Sequence, residues 1–99
     1  MQIDPAEIAA TEALAQKLER ELMHVYGSPL LTGEKLAEAM GYRSIHALRK
    51  HITQQKFPID LFTIPGRKGR FALIRDIAMW LASHRLGHQQ AKEQISIKN

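Results

Sequence analysis

Residues 30–55 constrain the fold most, because they hold two short helical segments separated by a glycine. Thr32 is a candidate N-cap for the first segment, which extends to Met40, and Ser44 is a candidate N-cap for the second. Gly41 is expected to end the first segment, since only glycine enters positive φ without steric cost. Two short helices joined by a tight, glycine-containing turn are typical of a helix-turn-helix. The apolar positions expected to face the core are Leu36, Ala37, Met40, Ile45, Leu48 and Ile52.

The second of these helices has an outer face free of acidic residues. At about 100° per residue, the direction opposite its apolar stripe falls near Lys50. Between Gly41 and Phe57 the chain has no Asp or Glu. Arg, Lys, His and Gln are the residue types that contact base edges and phosphates in DNA. The pattern predicts base readout by Arg43, His46, Lys50 and Gln54, and phosphate contacts by Arg49 and Thr53.

A cationic hairpin is predicted next, in the stretch FTIPGRKGRFAL of residues 62–73. Leu61–Ile64 and Arg70–Ile74 are rich in strand-forming residues, and PGRKG is a typical turn sequence between them. We expect the cations at the tip, which are Arg67, Lys68 and Arg70, to contact phosphate.

An N-terminal helix is predicted by the sequence Asp4-Pro5-Ala6-Glu7, which combines a cap, a proline suited to the first turn and a capping-box acid. The helix is expected to end near Tyr26, since Gly27 can adopt the left-handed cap conformation. It is amphipathic and is a candidate oligomerisation element. The apolar positions that recur near helical spacing are Ile8, Leu14, Leu18, Leu22 and Val25.

A last helix is predicted over Asp76–Leu86, with Gly87 closing it. The order of elements predicts a mainly α fold with a small β-hairpin, arranged as a winged helix-turn-helix with an additional N-terminal helix. The expected parts are residues 1–29, a DNA-binding domain of residues 30–87, and a flexible polar tail of residues 88–99.

The charge of the chain is unevenly distributed. The net charge is +4, but residues 41–74 carry seven Lys or Arg against the single acid Asp60. A cationic segment of this kind attracts polyanions, above all nucleic acid. The absence of cysteine excludes disulfides and thiolate metal sites. The N-terminus does not resemble a secretory signal and no apolar run reaches the length of a membrane helix, so a cytoplasmic protein is expected.

Catalytic and metal-binding interpretations find little support. The sequence has no GxSxG motif, and GRKGR lacks the GK[ST] of a phosphate-binding loop. His84 and His88 are four residues apart, but the expected helix end at Gly87 lies between them. His46 and His51 are five apart, a poor spacing for joint ligation. We therefore expect a protein that is not an enzyme, with no metal, cofactor or small-molecule ligand.

Three stretches together resemble a known family. They are LLTGEKLAEAMGYRSIHALRKHI, PGRKGRF and RDIAMWLASHR, within residues 30–86. They are similar to the MerR-like, excisionase-type winged-helix proteins, which include the AlpA-like regulators of phages and mobile elements. The resemblance implies sequence-specific binding of double-stranded DNA, often beside a partner protomer or a recombinase. The N-terminal helix is an addition to the minimal excisionase unit, and Arg75 precedes Asp76 where the family has an acidic or serine cap.

Two functions remain open at this point. The first is a DNA-binding transcriptional regulator or recombination directionality factor, acting as a homo-oligomer or with a partner protein. The second is a protein-interaction module that keeps the winged-helix fold but no longer reads DNA. The cationic, acid-free surfaces favour the first.

Overall fold

The computed structural model describes residues 4–96, and for residues 88–96 it describes the backbone alone. In this part of the chain, four helices surround one short antiparallel sheet. The predicted mainly helical fold with a small antiparallel β element is therefore confirmed. The elements in chain order are α1 (Pro5–Tyr26), β1 (Leu30–Leu31), α2 (Gly33–Ala39), α3 (Ile45–Thr53), β2 (Ala72–Leu73) and α4 (Ile74–Ser96).

Helix α1 has the ends that its sequence predicts. The Asp4 side chain accepts a hydrogen bond from the Ala6 amide at 3.0 Å, and Pro5 occupies the first turn. At the other end Gly27 has a φ of 70°, and its amide donates to the Met23 carbonyl at 2.8 Å. Both ends are set by hydrogen bonds within a few residues.

Helices α1 and α4 pack along each other. The Ile74 amide at the start of α4 donates to the Pro29 carbonyl, three residues after the end of α1, at 2.8 Å. The end of α1 therefore lies beside the start of α4, and the two helices run antiparallel. In the described residues, no helix is both long enough and apolar enough to cross a membrane.

The inner face of α1 includes Leu14, Leu18 and Leu22, which are half-buried, and Ala15, which is buried. Two apolar residues that were expected to share this stripe lie outside it: the side chains of Ile8 and Val25 are 45% and 70% exposed. Because α1 packs against α4 along one narrow face, residues at the edge of the helical repeat remain in solvent.

The core lies between the sheet, α2, α3 and the start of α4. Leu36 is 1% exposed, and Ile74 and Ile77 at the start of α4 are fully buried. Ile45 and Ile52 of α3 are half-buried and pack against this core. All six positions predicted to face inward on α2 and α3 thus do so. The buried members of the core cluster are Leu31, Leu36, Ala37, Met40, Leu48, Ala72, Ile74 and Ile77.

The β structure differs from the predicted hairpin. Strand β2 is only Ala72–Leu73, and it pairs with β1 rather than with the preceding arm, in the register Leu30↔Leu73 and Leu31↔Ala72. The predicted strand Leu61–Ile64 is reduced to one bridge, between Phe62 and Phe71. Pro65 has no amide to extend this ladder, and Gly66 and Gly69 turn the chain at positive φ immediately afterwards.

Helix α4 is longer at both ends than the predicted Asp76–Leu86. It begins at Ile74, directly after β2, and its backbone is helical through Gly87 as far as Ser96. The predicted end of the helix at Gly87 is therefore wrong. Gly87 lowers helix stability by about 1 kcal/mol, but Gln, Ala, Lys and Glu dominate the next seven residues and favour helix. Residues 97–99 of the expected tail lie outside the described residues.

Candidate nucleic-acid interface

The start of α3 is fixed by its own sequence. Ser44 has an extended backbone, with φ −159°, and its hydroxyl accepts a hydrogen bond from the Ala47 amide at 3.1 Å. Gly41 has a φ of 84°, and the amide after it, of Tyr42, donates to the Ala37 carbonyl at 2.8 Å. The predicted caps at Gly41 and Ser44 are confirmed, and they bring α3 close behind α2.

The exposed side of α3 is one continuous arc. At about 100° per residue, its exposed positions span about 140° of the helix circumference. Ala47 is half-buried and does not belong to this arc. Arg43 is exposed in the turn just before the helix. The exposed side chains of this α3 arc are His46, Arg49, Lys50, Thr53 and Gln54.

An aromatic cluster holds α3 to the turn that precedes it. The Tyr42 hydroxyl lies 2.9 Å from His51 Nδ1, and the two rings meet edge to face at 5.1 Å. Phe57, beyond the end of α3, stacks on Tyr42 with ring centroids 6.2 Å apart. Burial raises the pKa of Tyr42 above its ordinary value of 10.0. The sequence analysis did not find this cluster, because only the folded turn brings Tyr42 and His51 together.

The end of α3 is a Schellman motif built on a residue other than glycine. Gln55 has a φ of 59°, its amide donates to the Ile52 carbonyl at 3.0 Å, and the Lys56 amide donates to the His51 carbonyl at 2.8 Å. Lys56 is exposed. It therefore extends the cationic character of α3 by one residue that the sequence analysis did not assign.

The hairpin tip carries its cations into solvent. Gly66 and Gly69 have φ values of 81° and 90°, and the Arg67 amide donates to the Ile64 carbonyl at 3.0 Å. Arg67, Lys68 and Arg70 are all exposed. Within the part of the chain that the structure describes, no hydrogen bond or ion pair engages their charged groups. These groups are thus available to an external anion.

Thr32 does not cap α2 as its position predicts. It has the extended backbone of an N-cap residue, but its side chain accepts no hydrogen bond from the first turn of α2. Its hydroxyl instead donates to the Arg70 carbonyl at 2.6 Å. This bond joins the start of α2 to the hairpin, and it depends on a contact between distant parts of the sequence.

Acidic residues begin on the other side of the α2–α3 turn. An open cleft there is lined by Glu34 and Glu38 of α2 together with Arg43 and Ser44. Glu38 also accepts a hydrogen bond from the Tyr26 hydroxyl at 3.2 Å. Burial, followed by this bond and the Glu38 charge, raises the pKa of Tyr26. Because Lys35 also lines the cleft, its charged side chains are of both signs.

The histidines of α4 do not form a described metal site. The helix is continuous from His84 to residue 88, contrary to the expected break at Gly87. The His84 ring packs edge to face on Trp80, with centroids 4.9 Å apart. Among the described residues, no group of three or more His, Cys, Asp or Glu side chains is placed to hold a metal ion.

The nine side chains that the sequence predicts to contact DNA fall into two exposed groups. One is the α3 arc together with Arg43, and the other is the hairpin tip of Arg67, Lys68 and Arg70. The Thr32–Arg70 hydrogen bond links the tip to the helical pair. Neither a family model nor any curated protein or solved structure gives a significant match to this chain.

Proposed function

We propose that this chain binds double-stranded DNA in a sequence-specific manner, as a transcriptional regulator or a recombination directionality factor of the excisionase type. The observation that carries the proposal is the α3 arc: five adjacent polar side chains in solvent, on a helix that has no acid. A solvated helix face ordinarily mixes both signs of charge. An acid-free arc lowers the repulsion that a phosphate backbone would otherwise meet.

The order of elements supports a winged helix-turn-helix arrangement. Helices α2 and α3 follow each other across the short turn at Gly41, as the two helices of a helix-turn-helix do. The hairpin follows α3, and its outgoing strand β2 pairs with β1, which precedes α2. In this arrangement α3 is the recognition helix in the major groove and the hairpin is the wing.

The two exposed groups are suited to different tasks. Arg, Lys, His and Gln side chains donate to or accept from base edges, so Arg43, His46, Lys50 and Gln54 are assigned to base readout. Arg49 and Thr53, with the tip cations, are assigned to phosphates. Base contacts discriminate between sequences, whereas phosphate contacts add affinity for any duplex and release counterions.

Binding isotherms across a salt series test this assignment. The probes are a duplex selected from a random pool by the wild-type protein and a scrambled duplex of the same composition. Lys50→Ala or Arg43→Ala is expected to reduce the preference for the selected duplex by about 1–3 kcal/mol. Arg67→Ala combined with Lys68→Ala is expected to weaken both complexes by a similar factor. The double variant should also lower the salt slope by up to about two units, since each phosphate contact contributes roughly 0.9.

A matched control removes two cations elsewhere. Lys17 and Arg20 are exposed on α1, so Lys17→Ala with Arg20→Ala changes the net charge equally. This control should keep a salt slope near that of the wild type. Wild-type protein that passes through a DNA column at low salt would exclude DNA binding and favour the interaction-module alternative. If the Arg67→Ala and Lys68→Ala double variant changed the sequence preference while Lys50→Ala left it intact, the assignments of base readout and phosphate contact would be reversed.

The proposal includes a second copy or a partner protein such as a recombinase on the DNA. One module of this size buries only about 600–1,000 Å² on DNA, and one recognition helix reads few base pairs. Sedimentation of the protein with the selected duplex measures the stoichiometry. Two chains per duplex are expected for the protein alone, and a single chain at saturation would contradict homo-oligomeric binding.

A further inference from the structure

The hairpin tip has few connections to the rest of the molecule. At its base, Phe62 and Phe71 exchange two backbone hydrogen bonds, of 3.0 Å and 2.8 Å. Beyond this pair, the Arg67–Ile64 bond lies within the tip itself. Among the described residues, the Thr32 hydroxyl makes the one hydrogen bond that joins the chain beyond this base to a helix, through the Arg70 carbonyl.

The Thr32 hydroxyl lies close to two parts of the hairpin, the Arg70 carbonyl and Gly69. The hydroxyl oxygen lies 2.6 Å from the Arg70 carbonyl oxygen, a short separation for a neutral pair. A Cβ atom placed on Gly69 would lie 3.3 Å from the same hydroxyl, so a larger residue at 69 would press against it. Gly69 therefore permits both the turn and the approach of Thr32.

The Thr32 hydroxyl makes this contact and does not cap the first turn of α2. Its φ of −151° and ψ of 165° are those of an N-cap residue, and a threonine hydroxyl at such a position usually accepts from the first helical turn. Here no such bond forms. Replacing the hydroxyl by a methyl group would thus remove the bond to Arg70 without uncapping α2.

We propose that Thr32 is a positioning residue that holds the cationic tip at a fixed place relative to α2 and α3. This inference rests on the proposed function, since its purpose is to let the tip and the α3 arc meet one duplex together. A tip held in advance loses little conformational freedom on binding, whereas a loose tip must be ordered by the DNA. The tip cations then contribute fewer phosphate contacts on average.

Thr32→Val tests the inference, because valine keeps the shape and the β-branched backbone preference of threonine. The salt slope for duplex binding is expected to fall by about one unit or more, with the preference between selected and scrambled duplexes unchanged. Thr32→Ser keeps the hydroxyl and should restore the wild-type slope. Thr63→Val is the matched control, since Thr63 is an exposed hairpin residue whose hydroxyl makes no hydrogen bond in the described structure.

A double-mutant cycle separates positioning from general loss of stability. In a chain that already carries Arg67→Ala and Lys68→Ala, Thr32→Val should have little further effect on the salt slope. An equal fall in both backgrounds would overturn the inference. A fall in the Thr63→Val control that matches Thr32→Val would do the same.

A measurement without DNA keeps this inference distinct from the proposed function. Hydrogen exchange at the Arg67 amide, which is bonded within the tip, should be faster in Thr32→Val than in Thr32→Ser. Wild-type protein that binds no duplex would exclude the proposed function alone if this difference in exchange is present. Unchanged exchange and an unchanged slope in Thr32→Val would overturn the positioning role alone.

Discussion

Gln55 has a backbone conformation that residues with a Cβ atom rarely adopt. Its φ of 59° closes the Schellman motif at the end of α3, where glycine is the usual residue. The left-handed conformation is unfavourable by roughly 1–2 kcal/mol for an L-residue. The packing of Phe57 on Tyr42, two residues farther along, helps to hold the chain in this course.

We expect Gln55→Gly to stabilise the protein. Relief of the left-handed strain exceeds the greater flexibility of glycine in the unfolded chain, for a net gain of about 0.5–1 kcal/mol. Gln16→Gly, at an exposed position inside α1, is the matched control and should destabilise by about 1 kcal/mol. Urea unfolding measures both. If Gln55→Gly lowered the free energy of unfolding as Gln16→Gly does, Gln55 would not be strained.

At this scale, the sequence predicts a cap where the hydrogen bond closes locally. Asp4 and Ser44 accept from amides two and three residues ahead, so their roles follow from the residue type and its position. Thr32 has the same signature, but its hydroxyl finds an acceptor in Arg70, which lies far along the chain. A hydrogen-bond acceptor so distant in the sequence cannot be predicted from the residues around Thr32.

Helix α4 continues through a residue that is a local stop signal. Gly87 lies in its interior, and a Cβ atom added there would have nothing within 4 Å. The favourable helix propensities of the residues after Gly87 support the helix beyond it. Gly87 lowers the stability of the helix but does not end it.

Gly87→Ala is therefore expected to stabilise the protein by about 1 kcal/mol, because alanine restricts the unfolded chain and favours helix. Gly41→Ala is the comparison, since Gly41 also has open space around its Cα but a φ of 84°. It should destabilise by about 1 kcal/mol or more. Thermal unfolding followed by circular dichroism distinguishes them. Destabilisation by Gly87→Ala would mean that the helix does end there.

The helices could be predicted, because the periodicity of their apolar residues is visible in the sequence. The strands could not, because they depend on pairing between distant segments. The apolar stripe of α3 gives its buried side, and with it the exposure of His46, Lys50 and Gln54. Strand β1 consists of two leucines, where the sequence analysis predicted no strand. Its partner β2 lies beyond α3 and the hairpin, so no local pattern announces the pair.

The whole molecule depends on α1 more than the predicted separation of residues 1–29 implies. Leu22 and Tyr26 pack against the core cluster, and α1 covers one side of α4. The N-terminal helix is thus part of the same packed body as α2 and α3, whatever else its outer face contacts.

Deletion of residues 1–26 is accordingly expected to abolish the cooperative thermal transition of the chain. Removing α1 would take away Leu22 and Tyr26, which pack against the core cluster, from a small core that has little stability to lose. Ile8→Gln, on the exposed side of α1, should leave the melting temperature nearly unchanged. A truncated chain that melts cooperatively near the wild-type temperature would restore residues 30–87 as an independent domain.

The antiparallel contact between α1 and α4 also sets an order of events during synthesis. Helix α1 leaves the ribosome before the surface that it packs on, because α2, α3 and both strands separate it from α4 along the chain. Contacts between segments that are far apart in the sequence slow folding, because a long loop must close before they form. Until α4 emerges, the leucines of α1 have no native partner there, and the core of the nascent chain stays incomplete.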